Sequence, residues 1–552
     1  MININSTTVA VETSAELKSI LEADNTIATI YFANDITLES GISILGTKQS
    51  ITIDGLYPLD GTGTIHTYTD MNSASDSSTI GVRTASSINI LFKNMNVIGR
   101  NYYGIIFVSE STNHQDVVIT YENVTYSGPQ ITYHPSGLSI YKNLNVNIVA
   151  STACPANEVA EIAKLQIGGN TTITHNSTSD STFWLRGNTN DAYIKILDGA
   201  NVSITTAKDL IYSKYYVALS ISKDATFTIN TKYGLFRDSS HQASSITVDE
   251  NATFSVIQQA ANGSYSTIYC REAFNINSNA TVYIQANYTN TAPLVRFTTS
   301  SSQLNITDPK SVIFYNSSYA CLYFTNSTVV NINCRKIDYW LTSPTLITPG
   351  KIDGAPLYSW YKSTEDLISI SATASSSKTT ITTNNFTQEE LETLPSIDLL
   401  QLQTAKTLRF LPAGNLTLES APSLIEFQRP VISTNPTILG RKDNTSNITV
   451  IDTRSVSSTW YIYAYITEPL TTNDSKHTLN NSLIFIDENN ITHTLSTTPT
   501  LIYTGSPNDG SSKTTTITWE NSFGILFKVI DSIYANKKYS TKIKWILTDS
   551  KL

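Results

Sequence analysis

The feature that constrains this chain most is a spacing. A small or polar pair followed by two apolar residues one position apart recurs at Val202/Ile204, Phe227/Ile229, Phe254/Val256, Val282/Ile284, Leu304/Ile306 and Val330/Ile332. The steps between first members are 25, 27, 28, 22 and 26 residues. A second track passes through Phe183, Leu210, Leu235, Ile268 and Val295 in steps of 27, 25, 33 and 27. Two tracks with similar, slightly irregular periods mean one structural coil per roughly 20–33 residues, the range in which a solenoid is expected. The leucine framework of a leucine-rich repeat is missing, and the runs are β-rich rather than helical. A parallel β-helix tolerates unequal turns between coils and is the architecture this pattern predicts.

Composition agrees with stacked strands. Charged residues make up 15% of the 552 positions, below the roughly 25% usual for globular chains, and Asn, Thr and Ser supply the polarity instead. Thr lies comfortably on a pleated surface, and Asn can ladder from layer to layer. Net charge is 36 − 45 = −9, so the basic stripe of a nucleic-acid binder is absent and no such partner is expected. No apolar run reaches the ~18 residues of a membrane span. Cys154, Cys270, Cys321 and Cys334 include no C-x-x-C pair, so buried free thiols are expected rather than a zinc site.

Near the start, Thr13 and Glu16 have capping-box spacing, and Leu17, Ile20 and Leu21 form one apolar stripe. This predicts a short amphipathic helix covering the open end of the strand stack. Short strands follow, with helical periodicity absent to about residue 340 except for a short turn expected around Glu158 to Lys164. The segments "VETSAELKSILEADNTIATIYFANDITLESGI", "SITIDG", "NILFKNMNVIG" and "YENVTYSGPQ" resemble pectate-lyase-like β-helices of the adhesive type found in Gram-positive surface proteins. The resemblance covers residues 10–340 and implies a right-handed parallel β-helix.

Lyases on that fold carry a calcium-binding acidic cluster beside a basic residue. Here Asp54, Asp60, Asp70, Asp116, Asp191 and Asp198 are scattered, and His66, His114, His134, His175 and His241 are spread along polar turns. No catalytic residue, metal or cofactor is therefore assigned, and a non-enzymatic protein is expected. Flat stacked faces suit a host or surface glycan or a protein ligand. Tyr102, Tyr103, Tyr212, Tyr215 and Tyr216 are candidates to hold one; the alternative is that these rings pack on neighbouring coils.

Residues 341–404 read as a connecting or capping segment, with a helical turn started by Thr387 and Glu390 and stopped by Pro395. From 405 the strands become longer and a β-sandwich-like domain is expected. "LTLESAPSLIEF", the Asp452–Arg454 turn, Trp460-Tyr461-Ile462, "GILFKV" and Trp545-Ile546-Leu547 stand in the order of the WxL domain of Gram-positive cell-wall proteins, which this segment resembles over 405–552. The first motif departs by ending in Ile. The resemblance implies non-covalent attachment to peptidoglycan or another wall polymer, and an extracellular, wall-associated chain. Alternation along a strand puts Trp460, Ile462 and Ala464 on one face and Tyr461, Tyr463 and Tyr465 on the other; Trp545 shares a face with Ile543 and Leu547, opposite Lys542 and Lys544. Trp460, Tyr461, Tyr463, Tyr465, Trp519, Lys542, Lys544 and Trp545 are the candidate polymer-binding residues, with Lys537 and Lys538 beside them; the tryptophans read first as core. The opening residues lack the basic and apolar regions of an export signal, so either a signal has been removed or the chain leaves the cell by another route. Two competing readings are a carbohydrate-active β-helical enzyme and an assembly subunit of a surface fibre, spore coat or phage tail.

Overall fold

In the computed structural model the chain is described throughout except at residues 60, 62, 187–190, 214, 237–239, 241, 261–264, 287–290, 326, 349, 354–355, 363–366, 394–401, 412–415, 430–436, 443–446, 453–458, 506–512, 530–536 and 549–552. It divides into two compact units. One is Met1–Tyr361 with Leu367–Pro412, the other Lys362–Asp366 with Ala413–Leu552.

The first unit is an all-β solenoid of about 11 turns, built on three columns of parallel pairing. On one face Ile30, Ile53, Phe92, Tyr121, Tyr141, Ile167, Ile196, Ile221, Val248, Ile276, Ile306 and Ile332 stand in unbroken register, each opposite the next. On a second, Tyr68, Val97, Tyr126, Val146, Ile173, Ile204, Ile229, Val256, Ile284 and Phe314 do the same. The third face consists mostly of three-residue pairings, such as Ile106–Val108, Phe183–Leu185, Val295–Phe297 and Leu322–Phe324. Both long columns are buried and belong to one continuous core. Like side chains meet from coil to coil: Phe227 stacks on Phe254 with ring centroids 6.0 Å apart and 22° between planes. Each fully buried Val, Leu, Ile or Phe contributes roughly 1.5–3 kcal/mol relative to exposure.

The corner between the first two faces accounts for some of the asparagines. Asn94, Asn123, Asn143, Gly169, Gly199, Asp224, Asn251 and Asn279 take the corner at φ between +50° and +65°. Only Gly, and after it Asn or Asp, adopts this left-handed conformation at low cost. The side chains also ladder: Asn123 Nδ2 donates to Asn94 Oδ1 at 2.9 Å, Asn143 Nδ2 to Asn123 Oδ1 at 3.1 Å, and Asn251 Nδ2 to Asp224 Oδ1 at 2.9 Å. A second ladder joins Asn275, Asn305 and Asn331.

At the N-terminus, Thr13 accepts from the Glu16 amide and starts the helix Ser14–Glu22, whose Leu17, Ile20 and Leu21 are buried in the solenoid core. At the other end pairing turns antiparallel. Ile368–Ala374 lies against Thr328–Cys334, and Thr407–Leu411 runs antiparallel to both Ser311–Asn316 and Lys336–Trp340. Residues 407–411 are therefore a solenoid strand, although the sequence pattern opens the next domain at 405. The reciprocal cap at Thr387 and Glu390 forms as expected and starts the helix Gln388–Thr393. Pro395 lies outside the described residues.

Other details depart from the sequence reading. Residues 160–168 form a strand rather than a turn. The first apolar track merges two faces: its first four pairs belong to the second face, whereas Leu304/Ile306 and Val330/Ile332 belong to the first. Both faces alternate inward residues with the same period, so spacing alone does not separate them. On the second track, Phe183 pairs with Ile211 rather than Leu210, and Ile211 with Phe236 rather than Leu235. His114, His134 and His175, set among polar turn residues in the sequence, are buried; His175 Nε2 lies 2.8 Å from the Asn157 carbonyl. All four cysteines are free and buried.

The second unit is also all-β, and its strand pairings are antiparallel. The strand Trp460–Ile466 runs between Thr500–Gly505 and Ile543–Thr548. Its main core gathers Ile448, Val450, Trp460, Ile462, Leu483, Phe485, Ile517 and Ile525, with Trp519 and Trp545 packed against it. Two devices hold it. A Cβ at Gly505 would fall 1.9 Å from the Trp460 ring, so glycine is required for the indole to lie on the strand. The buried Arg441 guanidinium donates to the carbonyls of Trp519, Glu520, Phe523 and Ile525 at 2.6–3.3 Å, satisfying a charge that is costly to bury unpaired.

Candidate functional site

On the third solenoid face the first and last residues of each short strand point inward, so the middle residue points out. In-register pairing makes these middle residues one row: Gly81, Phe107, Tyr133, Glu161, Trp184 and Tyr212. Farther along, Arg296 pairs with Tyr269 and Tyr323 in the same middle position, although Tyr269 is buried in the core. Arginines lie over these rings. Arg83 sits over Phe107 at 4.9 Å, Arg186 over Trp184 at 4.7 Å and over Tyr133 at 5.7 Å, and Arg296 over Tyr323 at 4.7 Å. Such contacts are worth about 0.5–1 kcal/mol each where exposed.

The densest part surrounds Arg186. Its Nη1 donates to Glu161 Oε2 at 2.8 Å and to the Tyr133 hydroxyl at 2.9 Å, and its Nη2 to Glu110 Oε2 at 3.1 Å. The Tyr102 hydroxyl donates to the other Glu161 oxygen at 3.2 Å. Glu161 is 1% exposed, and burial raises its pKa while Arg186 pulls it back. Glu158 is 7% exposed, and its Oε2 has no hydrogen-bond partner among the described residues. Burial first, then the nearby charges of Glu161 and Asp180, push it up to about 7. Burial also pushes Tyr133 up to about 12. Among the described residues no group of three or more His, Cys, Asp or Glu is placed to hold a metal.

The fold brings together what the sequence offered as separate tyrosine clusters. The Tyr103 ring lies 5.1 Å from Tyr133 and 5.3 Å from Phe107, with Tyr102 beside it at 5.0 Å. Tyr212 is in the row itself, edge-on to Trp184 at 5.4 Å. Tyr216 accepts from Arg271 at 2.7 Å farther along the same unit. Tyr215 is half-buried. Sequence reasoning missed Phe107, Tyr133, Glu161, Trp184 and Arg186. The signal was present in the second track, where "FWL" marks an inward–outward–inward triplet.

In the C-terminal unit both tryptophan motifs fall on paired strands: Ala464 is opposite Trp545, Ile462 opposite Leu547, and Tyr465 opposite Lys544. Two of the candidate polymer-binding residues are corrected. Trp460 is 2% exposed and packed in the core, 5.5 Å from the Tyr503 ring, and Tyr463 is 5% exposed, so neither ring is presented to a polymer. Tyr463 sits where pairing with Thr500–Gly505 skips a residue, a register irregularity that simple alternation does not foresee. Tyr461, Tyr465, Trp519 and Trp545 are half-buried; Lys537, Lys538, Lys542 and Lys544 are exposed. Lys537 pairs with Asp474 at 2.8 Å and Lys542 with Glu468 at 3.4 Å. Thr453 and Arg454 lie outside the described residues.

Residues 8–133 match the family described as a pectate lyase-like adhesive domain. Two solved structures are similar. One, titled "L. reuters 100-23 SRRP", is 18% identical, covers 59% of this chain and 93% of its own, and has a TM-score of 0.36. The other, "L. reuteri 53608 SRRP", is 17% identical, covers 52% and 99%, and has a TM-score of 0.32. No curated protein matches the chain. No helix among the described residues is long and apolar enough to cross a membrane.

Proposed function

We propose that this chain is a non-enzymatic surface adhesin. The solenoid presents a ligand-binding face, the helix Ser14–Glu22 closes one end of the stack, and the C-terminal unit holds the protein to the cell wall as a WxL-like module. The observation that carries the adhesive reading is the third-face row, in which the half-exposed Trp184, Tyr212, Arg186, Tyr102 and Tyr103 stand beside the buried Phe107, Tyr133 and Glu161. The match of residues 8–133 to an adhesive-domain family supports it. Wall attachment rests on the resemblance of the two tryptophan motifs. On that reading the core tryptophan Trp460 shapes the module. Tyr461, Tyr465, Trp519, Trp545, Lys542 and Lys544 supply stacking surface and positive charge for peptidoglycan or an anionic wall polymer.

Co-sedimentation with purified cell-wall sacculi tests attachment. The intact chain is expected to pellet with the sacculi, and Lys542→Glu with Lys544→Glu to weaken this several-fold while leaving the melting curve unchanged. A chain that stays in the supernatant defeats the attachment claim. Pelleting that the double variant leaves untouched removes the lysines from it.

A further inference from the structure

We propose that the solenoid surface around Glu158, Glu161, Trp184 and Arg186 binds a neutral glycan, with a sugar hydroxyl meeting the Glu158 carboxyl and a sugar face packed on the half-exposed rings. This rests on the adhesive reading and narrows it to a ligand class.

Three observations lead there. First, the site holds a buried carboxyl oxygen that needs a partner. Glu158 is more than nine-tenths buried, with Oε2 unpartnered among the described residues. A buried polar atom without a partner is destabilising, and a hydroxyl that can both donate and accept would relieve this. Second, the charge balance disfavours an acidic ligand. Glu110 and Glu161 are two carboxylates on the single guanidinium of Arg186, which already donates to both and to Tyr133, and Glu158 beside them adds negative charge as it ionises. Arg83, the next arginine along the row, is paired with Asp76 at 3.4 Å. Asp180 adds a further negative charge acting on Glu158. A uronate or sulfate would meet net repulsion and, among the described residues of this cluster, find no uncommitted cation; an uncharged sugar meets neither obstacle. Third, the half-exposed Tyr102, Tyr103, Trp184 and Tyr212 border the carboxylates. Ring faces beside hydrogen-bonding groups are the pairing that a sugar, with apolar C–H faces and polar edges, requires.

The intact chain is titrated with size-matched neutral hexose oligosaccharides and with oligogalacturonates, following tryptophan fluorescence and heat. Saturable binding of a neutral series is expected, with oligogalacturonates at least about tenfold weaker, a difference of roughly 1.4 kcal/mol. Trp184→Ala and the nearly isosteric Glu158→Gln should each weaken the neutral ligand about tenfold, and a melting curve for Glu158→Gln no lower than the parent's separates binding from folding. The proposal is overturned if only the oligogalacturonates bind, if no oligosaccharide binds, or if both variants bind like the parent. A parallel assay of beads coated with the intact chain on mucin and cell layers keeps the two claims apart. Adhesion without neutral-glycan binding sinks this proposal alone, and absence of any adhesion sinks the adhesive reading.

Discussion

In the solenoid, the neighbour of each strand is the corresponding stretch of the next coil. In the C-terminal unit, each strand meets a partner of unrelated sequence running the other way. The consequences differ. Ile229 lies between Ile204 and Val256, near-equivalents of itself, so its loss is a local defect in a long repeated core. Trp460 has no equivalent: its indole fits only because residue 505 is glycine, and Ile462, Leu483, Phe485 and Ile525 pack in the same small core. Repetition spreads stability along a chain, whereas a unique core concentrates it.

The largest effect expected from this contrast is on cooperativity. Trp460→Ala should cost about 3–5 kcal/mol, and Gly505→Ala should be comparably damaging. In either variant hydrogen exchange should accelerate throughout residues 416–548 together. Ile229→Ala, worth roughly 2–5 kcal/mol, should accelerate exchange only in the flanking coils. If Ile229→Ala opens the whole solenoid at once, the contrast fails.

A smaller effect tests the corner ladder. Asn251, at φ +60°, is bonded to Asp224 and Asn279. Asn251→Ala should cost roughly 1–2 kcal/mol for the left-handed backbone, whereas Asn251→Gly recovers most of it, as urea unfolding would register. Equal losses would mean that the side-chain bonds, not the backbone, dominate.

Acid and base responses separate the units more finely. Burial holds Asp70 near 7 instead of 3.8, and neither carboxyl oxygen has a hydrogen-bond partner among the described residues. The folded state therefore keeps a proton that the unfolded chain has released. This contribution is whole below the ordinary carboxylate range and is lost as pH rises toward 7. Asp70→Asn should melt a few degrees higher than the parent at pH 8, with the difference vanishing at pH 4. The variant isolates this group from His134 and His175, which burial lowers to about 3 and about 4 and which act in the opposite sense. In the C-terminal unit, Asp474 is lowered by its Lys537 partner and Asp487 by the Ile491 amide, so their contribution is lost as pH falls. Asp474 is exposed and Asp487 half-buried, and the smallest effect is expected at the exposed pair: Lys537→Ala should scarcely move the melting curve at neutral pH. A shift as large as that of Asp70→Asn would contradict this ordering.

What could be read in the sequence follows the same division. The solenoid showed itself because one position repeated in every coil must be apolar, and its corners because Asn and Gly tolerate positive φ. The period did not distinguish the two long faces, since Ile284 and Ile306 obey one alternation while serving different sheets. The outward row was harder still. Phe107, Tyr133, Glu161 and Trp184 share a position but not a chemistry, and only register aligns them. In the C-terminal unit the motif tryptophans were evident, but Arg441 was not. A lone arginine carries no signal until four carbonyls from residues 519–525 converge on it.

The central claim is that the protein grips the wall with one unit and its ligand with the other. Hydrogen exchange of the intact chain bound to sacculi tests it most directly. Slowed exchange is expected only in the C-terminal unit, around residues 461–466 and 539–548, with the solenoid row from Phe107 to Tyr212 unchanged. Slowed exchange along that row, with none in the C-terminal unit, would contradict it.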